Sequence, residues 1–205
     1  MSIVLLLRHG EIAGRDATKR YLGQLDPPLS ERGREQMAML ARQPRLLPLR
    51  RILASPLRRT VESAAIVAAA IPGCSVETVP ALAEIFLGQW EGLSFAEVRQ
   101  RFPDDYRRRG LDLASFRPPG GESFADLQVR VWPVFLRAAE EPEPVALMAH
   151  AGVNRVLLCR ILGMPLAHLF RLGQDYGCCS VVKVDDKGYR LAALNLTPAD
   201  MADGG

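Results

Sequence analysis

Two short apolar runs end abruptly in histidine, and no other feature constrains the fold of this chain so tightly. The first, residues 3–7, stops at Arg8-His9-Gly10-Glu11, and the second, residues 145–149, stops at His150-Ala151-Gly152. A run of five apolar residues with no polar face suits a strand buried on both sides, as in a sheet covered by helices. In open α/β sheets, ligands sit outside the carboxyl ends of such strands. The chain has only three histidines, and two of them stand at that edge.

The segments between these runs alternate in kind. Residues 14–28 read as a long loop, after which Ser30 can cap a helix with Met37, Leu40 and Ala41 on one face. A strand at 51–54 leads through Ser55-Pro56 into a helix bearing Val61, Ala64, Ala65 and Ala68, with proline near its first turn. A third strand is expected at 76–79, followed by a turn-rich segment to Gly92. Ser94 and Glu97 form a capping box for a helix ending near Phe102. Residues 104–121 are polar and arginine-rich and read as an irregular excursion. Ser123 caps a helix with Leu127, Val131, Val134 and Phe135 on one side, and Pro133 is expected to kink it. A helix over 153–162 is stopped by Gly163 and Pro165. Residues 180–184 and 189–193 pair as a hairpin, and the tail after Leu196 is expected to fray. This alternation predicts an α/β fold: a three-layer α/β/α sandwich with a mostly parallel central sheet. It fits one domain over residues 1–205, with a helical cap insertion at about 93–136.

One histidine at a strand end can simply finish a core. Two of them, flanked by Arg8 and by glycines, mark a site. A histidine nucleophile needs one bare ring nitrogen, with the other held by an acceptor. Phosphoryl transfer also needs donors around the equatorial oxygens, which Arg8, Arg59 and His150 can supply, and a carboxylic acid for the leaving oxygen. Several other residues read as packing or surface. His168 lies among apolar neighbours, Trp90 and Trp132 suit packing, and Arg107-Arg108-Arg109 suits a solvated face that could attract a polyanion. Cys74, Cys159, Cys178 and Cys179 show neither ligand spacing nor an activating base.

The motifs together resemble the histidine phosphatase superfamily, the phosphoglycerate-mutase-like clan. Leu5-Leu6-Leu7-Arg8-His9-Gly10-Glu11 is similar to its signature. Tyr21-Leu22-Gly23-Gln24, Ser55-Pro56-Leu57-Arg58-Arg59-Thr60, Glu84 with Gly88-Gln89-Trp90-Glu91-Gly92, Pro119-Gly120-Gly121-Glu122-Ser123 and His150-Ala151-Gly152-Val153 follow in family order. The resemblance implies that His9 is the phosphohistidine nucleophile and that Arg8, Arg59 and His150 hold the phosphoryl group. Glu84 would protonate the leaving alcohol and then activate water. Arg59 matches the family arginine, four residues after Ser55, whereas Arg58 suits solvent. Glu11, Leu22, Gly23, Gln24 and Ala151 would lie on the substrate side. Arg15 stands near the place of a family asparagine, so that contact would come from Arg15 or be absent. The stretch Glu84-Ile85-Phe86-Leu87-Gly88 lacks the arginine and tyrosine of the mutases, which favours a phosphatase. The loops at 8–13 and 21–24 resemble those of α-ribazole phosphatases of cobalamin assembly, which would make α-ribazole 5′-phosphate the substrate.

The expected partner is a small phosphorylated metabolite, with no cofactor and no metal; self-association as a homodimer stays open. A net charge of +3 is too small to argue for nucleic acid, and no apolar run approaches a membrane span or a signal peptide. Unpaired cysteines suit a reduced, cytoplasmic setting. Three rival readings remain: a mutase, a non-catalytic phospho-ligand-binding regulator, and a metallohydrolase using His9, His150 and Glu84 as ligands.

Overall fold

The computed structural model describes residues 2–14, 18–43, 46 and 48–202. Strand β1 (Ser2–Arg8) alternates its side chains between two cores: Val4 and Leu6 enter one, Leu5 and Leu7 the other. Strand β4 (Val145–Ala149) does the same, with Val145, Leu147 and Ala149 on one face and Ala146 and Met148 on the other. The period-2 geometry of a strand makes an unbroken apolar run feed both faces of the sheet.

These strands lie side by side and parallel, with β2 (Arg51–Ala54) and β3 (Ser75–Thr78) continuing the parallel set beyond β4. On the far side of β1, β5 (Cys179–Asp185) runs antiparallel and pairs with β6 (Gly188–Leu196), giving the order β3-β2-β4-β1-β5-β6. Helices α1 (Glu31–Ala41) and α2 (Arg58–Ala69) bury Met37, Leu40, Ala64 and Val67 on one face. The other face is covered later in the chain by α5 (Phe124–Ala139) and α6 (Ala151–Ile161). Thus β1 feeds a helix on one face while its neighbour β4 feeds a helix on the opposite face. A crevice opens between their carboxyl ends for that reason.

The excursion at 93–136 divides in two. Helix α3 (Phe95–Arg101), started by the Ser94–Glu97 capping box, gathers with Tyr21, Trp90 and Phe116 in a small aromatic core apart from the sheet. Trp90 is its centre, with ring centroids 5.2 Å from Tyr21 and 5.4 Å from Phe116. Helix α5, by contrast, packs on the sheet, and it continues through Pro133 without a break.

Three expectations need correction. Residues 103–111 are not irregular but form helix α4 (Pro103–Leu111). Proline opens it, Asp104 and Asp105 sit in its first turn, and Arg107–Asp104 and Arg108–Asp105 pair along it. It buries no residue, so no apolar period announces it. Helix α6 starts two residues earlier than expected, directly after His150. The chain after Leu196 forms a short helix, α7 (Pro198–Ala202), where Thr197 and Asp200 cap one another. Among the described residues, no helix is long and apolar enough to cross a membrane, and all four cysteines are free.

Candidate active site

Arg8 ends β1, and His9 is the first residue beyond it. The His9 backbone is pinned on both sides: its N–H donates to Ala149 O (3.2 Å), and its carbonyl accepts from Gly177 N (3.1 Å). Its ring Nδ1 lies 2.7 Å from Gly10 O. A carbonyl can only accept, so Nδ1 carries the proton and Nε2 keeps its lone pair. The turn is tight: a Cβ on Gly10 would sit 2.3 Å from Gly33 O in the first turn of α1. Any larger residue would push that helix away from the histidine.

Three adjacent strands contribute to the same spot. His150 follows β4, with its ring centroid 5.2 Å from that of His9. Ser55 follows β2, and its Oγ lies 2.7 Å from His150 Nε2. Arg59, the second residue of α2, is 1% exposed, and its terminal nitrogens donate to Leu25 O (2.6 Å) and Gly23 O (3.0 Å). Arg58 turns outward and pairs with Glu62. Arg8 donates to Gln174 O and lays its guanidinium over the Tyr176 ring, 3.8 Å from the centroid.

Glu84 approaches from the segment after β3. Its carboxylate accepts from Ile85 N (2.9 Å) and from Gly152 N (3.1 Å), one of the free amides at the start of α6. His150 makes no side-chain cap at that helix start, so Glu84 supplies an acceptor there from another segment. A Cβ on Gly152 would lie 2.3 Å from Glu84 Oε1, so only glycine leaves room for the carboxylate. Behind Glu84 stands Arg130 of α5. It donates to Ala81 O (2.7 Å) and Ala83 O (3.0 Å), and forms a two-pronged pair with Glu122 at 2.8 Å on each prong. Glu122 in turn accepts from Phe86 N, and its own amide donates to Phe86 O. Gln24 ties its own loop to the same segment, through Glu84 O (2.9 Å).

The electrostatics of the spot are one-sided. Burial first, then the charges of Arg8 and Arg59, hold His9 well below the ordinary histidine pKa of 6.5. Burial, His9 and the same two arginines do so for His150. Both imidazoles are therefore neutral at neutral pH. Among the described residues, five buried side-chain nitrogens and oxygens lack a protein partner. Three of them are Arg8 Nε, Arg59 Nε and His150 Nδ1, all beside His9. A buried donor without an acceptor is costly; the two guanidinium nitrogens are donors and His150 Nδ1 is a third when Nε2 accepts from Ser55, a set that calls for an anion. No group of three or more histidine, cysteine, aspartate or glutamate residues is placed to hold a metal among the described residues.

The family model of the histidine phosphatase superfamily (branch 1) matches residues 4–197. The chain belongs to that superfamily. Phosphoserine phosphatase 1 of Hydrogenobacter thermophilus is 32% identical over 196 residues, covering 95% of this chain and 92% of that one. The crystal structure of the α-ribazole phosphatase of Shigella flexneri superposes with a TM-score of 0.84 at 28% identity, over 95% of this chain and 96% of the other. Mycobacterial glucosyl-3-phosphoglycerate phosphatase gives 0.80 at 29% identity, over 95% and 99%. The relatives are phosphatases, and their names carry three different substrates.

In this histidine phosphatase a cleft of about 1150 Å³ opens beside Arg8. Glu11 and Leu22 line it, with Asp26, Phe95, Arg155 and Tyr176. Gly23, Gln24 and Ala151 are not in its lining, and neither are His9, Arg59, Glu84 and His150; Gly23 and Gln24 bond Arg59 and Glu84, and Ala151 opens α6. Arg15 lies outside the described residues. Arg155 and Tyr176 were missed from the sequence. Arg155 sits four residues into α6 after Ala151, a helical spacing that was available, whereas Tyr176 lies in a loop with no local signal.

Proposed function

We propose that this chain is a metal-independent phosphomonoesterase that works through a phosphohistidine at His9. The observation that carries the reading is the set of three buried, unpartnered donors around a neutral histidine whose bare Nε2 is fixed by the Gly10 carbonyl. His9 Nε2 attacks phosphorus in line with the leaving oxygen. Arg8, Arg59 and His150 take up the charge spread over the equatorial oxygens. Ser55 can donate its hydroxyl proton to His150 Nε2, which leaves Nδ1–H as the donor to phosphate. Glu84 gives its proton to the leaving alcohol as the P–O bond breaks. It then takes a proton from water as that water attacks the phosphohistidine, returning His9 and releasing inorganic phosphate.

The substrate is a small phosphorylated metabolite. The loop resemblance favours α-ribazole 5′-phosphate, whose alcohol is uncharged, whereas the Hydrogenobacter relative is named for phosphoserine, whose alcohol carries a carboxylate. The cytoplasm is the proposed setting. The deciding experiment is hydrolysis of p-nitrophenyl phosphate by wild type and His9→Ala, with and without chelator. Activity that resists chelation and vanishes in His9→Ala is the expected result. Loss to chelator would establish the metallohydrolase instead, and a folded but inert wild type would favour the regulator.

A further inference from the structure

The molecule carries a half-buried arginine for which the mechanism above has no use. Arg155 projects from α6 into the cleft that Arg8 also lines. Its Nε donates to Leu172 O (2.9 Å), which anchors the root of the guanidinium, while Nη1 and Nη2 have no hydrogen-bond partner among the described residues. It forms no ion pair among those residues. The two carboxylates that share its electrostatic surroundings are engaged elsewhere: Glu84 with the Ile85 and Gly152 amides, Asp175 with the Asn195 side chain at 2.6 Å.

Two other partly buried arginines are matched. Arg130 has Glu122, and Arg51 has Glu77 and Glu141. The exceptions are informative. Arg8 and Arg59 lack a close carboxylate because their place is to meet a phosphoryl group, Arg59 lying 3.9 Å from Asp26 at best. Arg155 belongs with these two. A second unmatched cation approaches from the cap: Arg109 of α4 stands 5.9 Å from the Phe170 ring centroid, and Arg155 stands 5.5 Å from that centroid. One exposed aromatic ring is thus flanked by two guanidinium groups, one from the cap and one from α6.

We propose that Arg155 receives a second anionic group, carried on the alcohol portion of the substrate, so that the enzyme selects phosphomonoesters of acids over those of neutral alcohols. The proposal rests on the phosphatase reading of the site and, within it, sides with an acidic alcohol against the uncharged alcohol of α-ribazole 5′-phosphate. The planar fork of arginine suits a carboxylate or a phosphate. Burial and the charge of Arg8 both disfavour the Arg155 cation, so an arriving anion is stabilised there more than at an exposed arginine. The arginine that mutases carry just after their proton donor is absent from residues 85–88, and α6 supplies a cation from a different direction.

The test compares esters that differ only in the second charge. The pairs are 3-phosphoglycerate against glycerol 3-phosphate, and fructose 1,6-bisphosphate against fructose 6-phosphate. Each is assayed with wild type, Arg155→Gln and Arg155→Lys. Wild type is expected to favour the charged member of at least one pair by roughly tenfold or more in kcat/KM, the worth of one charge-assisted hydrogen bond. Arg155→Gln should bring that ratio towards one through KM, and Arg155→Lys should restore part of it. The pair that responds tells carboxylate from phosphate. Indifference of wild type to the second charge, or a preference that survives in Arg155→Gln, overturns the proposal. Wild-type hydrolysis of p-nitrophenyl phosphate separates the two readings. An enzyme active there without the preference refutes the Arg155 site alone, whereas one inert on every ester refutes the phosphatase reading beneath it.

Discussion

A histidine can attack phosphorus only while it is neutral, and the surroundings of His9, the proposed nucleophile, keep it so without a carboxylate partner. The Gly10 carbonyl fixes the tautomer, while burial and two arginines suppress protonation. The direction of that shift sets a pH dependence. Protonating His9 abolishes attack, and its pKa lies well below 6.5, so the acid limb of kcat/KM should also lie well below 6.5 once substrate ionisation is corrected for. A limb at or above 6.5 would contradict the buried, cation-flanked histidine. A second expectation concerns the space at Gly152. In Gly152→Ala the new methyl would lie 2.3 Å from Glu84 Oε1, and the carboxylate must swing away. Since general acid–base catalysis is worth about 10²–10⁴-fold, kcat should fall by about 10- to 100-fold with little change in melting temperature. Retained kcat in a folded variant would show that Glu84 does not need that position. Arg8, His9 and His150 were legible in the sequence because each closes a buried strand. Glu84 was legible only by family resemblance, because nothing local marks a carboxylate on a turn as reactive.

At the scale of elements, the segment that carries Glu84, the proposed proton donor, owes its place to α5 rather than to its own fold. Residues 81–86 hold little regular structure, but Arg130 binds three of their carbonyls and, through Glu122, the Phe86 amide. Replacing Arg130 by Gln should therefore loosen Glu84 while leaving His9 and the arginines in place. The result expected is a split by leaving group. For an alkyl phosphate, whose alkoxide needs a proton, kcat/KM should drop at least about tenfold, whereas for 2,4-dinitrophenyl phosphate, which leaves unaided, it should drop much less. Equal losses on both would mean that Arg130 supports the fold as a whole. Strands β1 and β4, helix α5 and the closing hairpin were readable because their periods follow burial. Helix α4 escaped because none of its residues is fully buried and Tyr106 is its only hydrophobic residue packed on the aromatic core, so its apolar pattern carries no helical period. Its proline and paired acids were the remaining signal, one that marks where a helix can start without showing that packing sustains it.

For the whole molecule, the site is an electrostatic load that the two cores must carry. Two neutral histidines, the buried Arg59 and the partly buried Arg8 gather where β1 and β4 end, flanked by the strands' apolar faces. That load makes folding depend on pH in a definite sense. In the unfolded chain His9 and His150 take up protons near 6.5, whereas in the native state each does so only well below that value. Between the two, the unfolded state binds more protons, so stability rises with pH and this contribution is complete above about 6.5. As pH falls through 6.5 it is lost, at no more than about 1.4 kcal/mol per pH unit for each histidine. Urea unfolding followed at pH 7.5, 6.5 and 5.5 should show the midpoint dropping over the lower interval, and His9→Gln with His150→Gln should flatten that slope. A slope unchanged in the double variant would show that the two histidines are not its source, and it could not be assigned to carboxylates such as Glu77 and Asp126. Those are held below their ordinary range by arginine partners and lose stability at lower pH than the histidines do. Because the proposed chemistry and this term rest on the same pair of side chains, the pH that first weakens the fold should lie above the pH that first silences the nucleophile. The enzyme would then lose stability before it loses its mechanism.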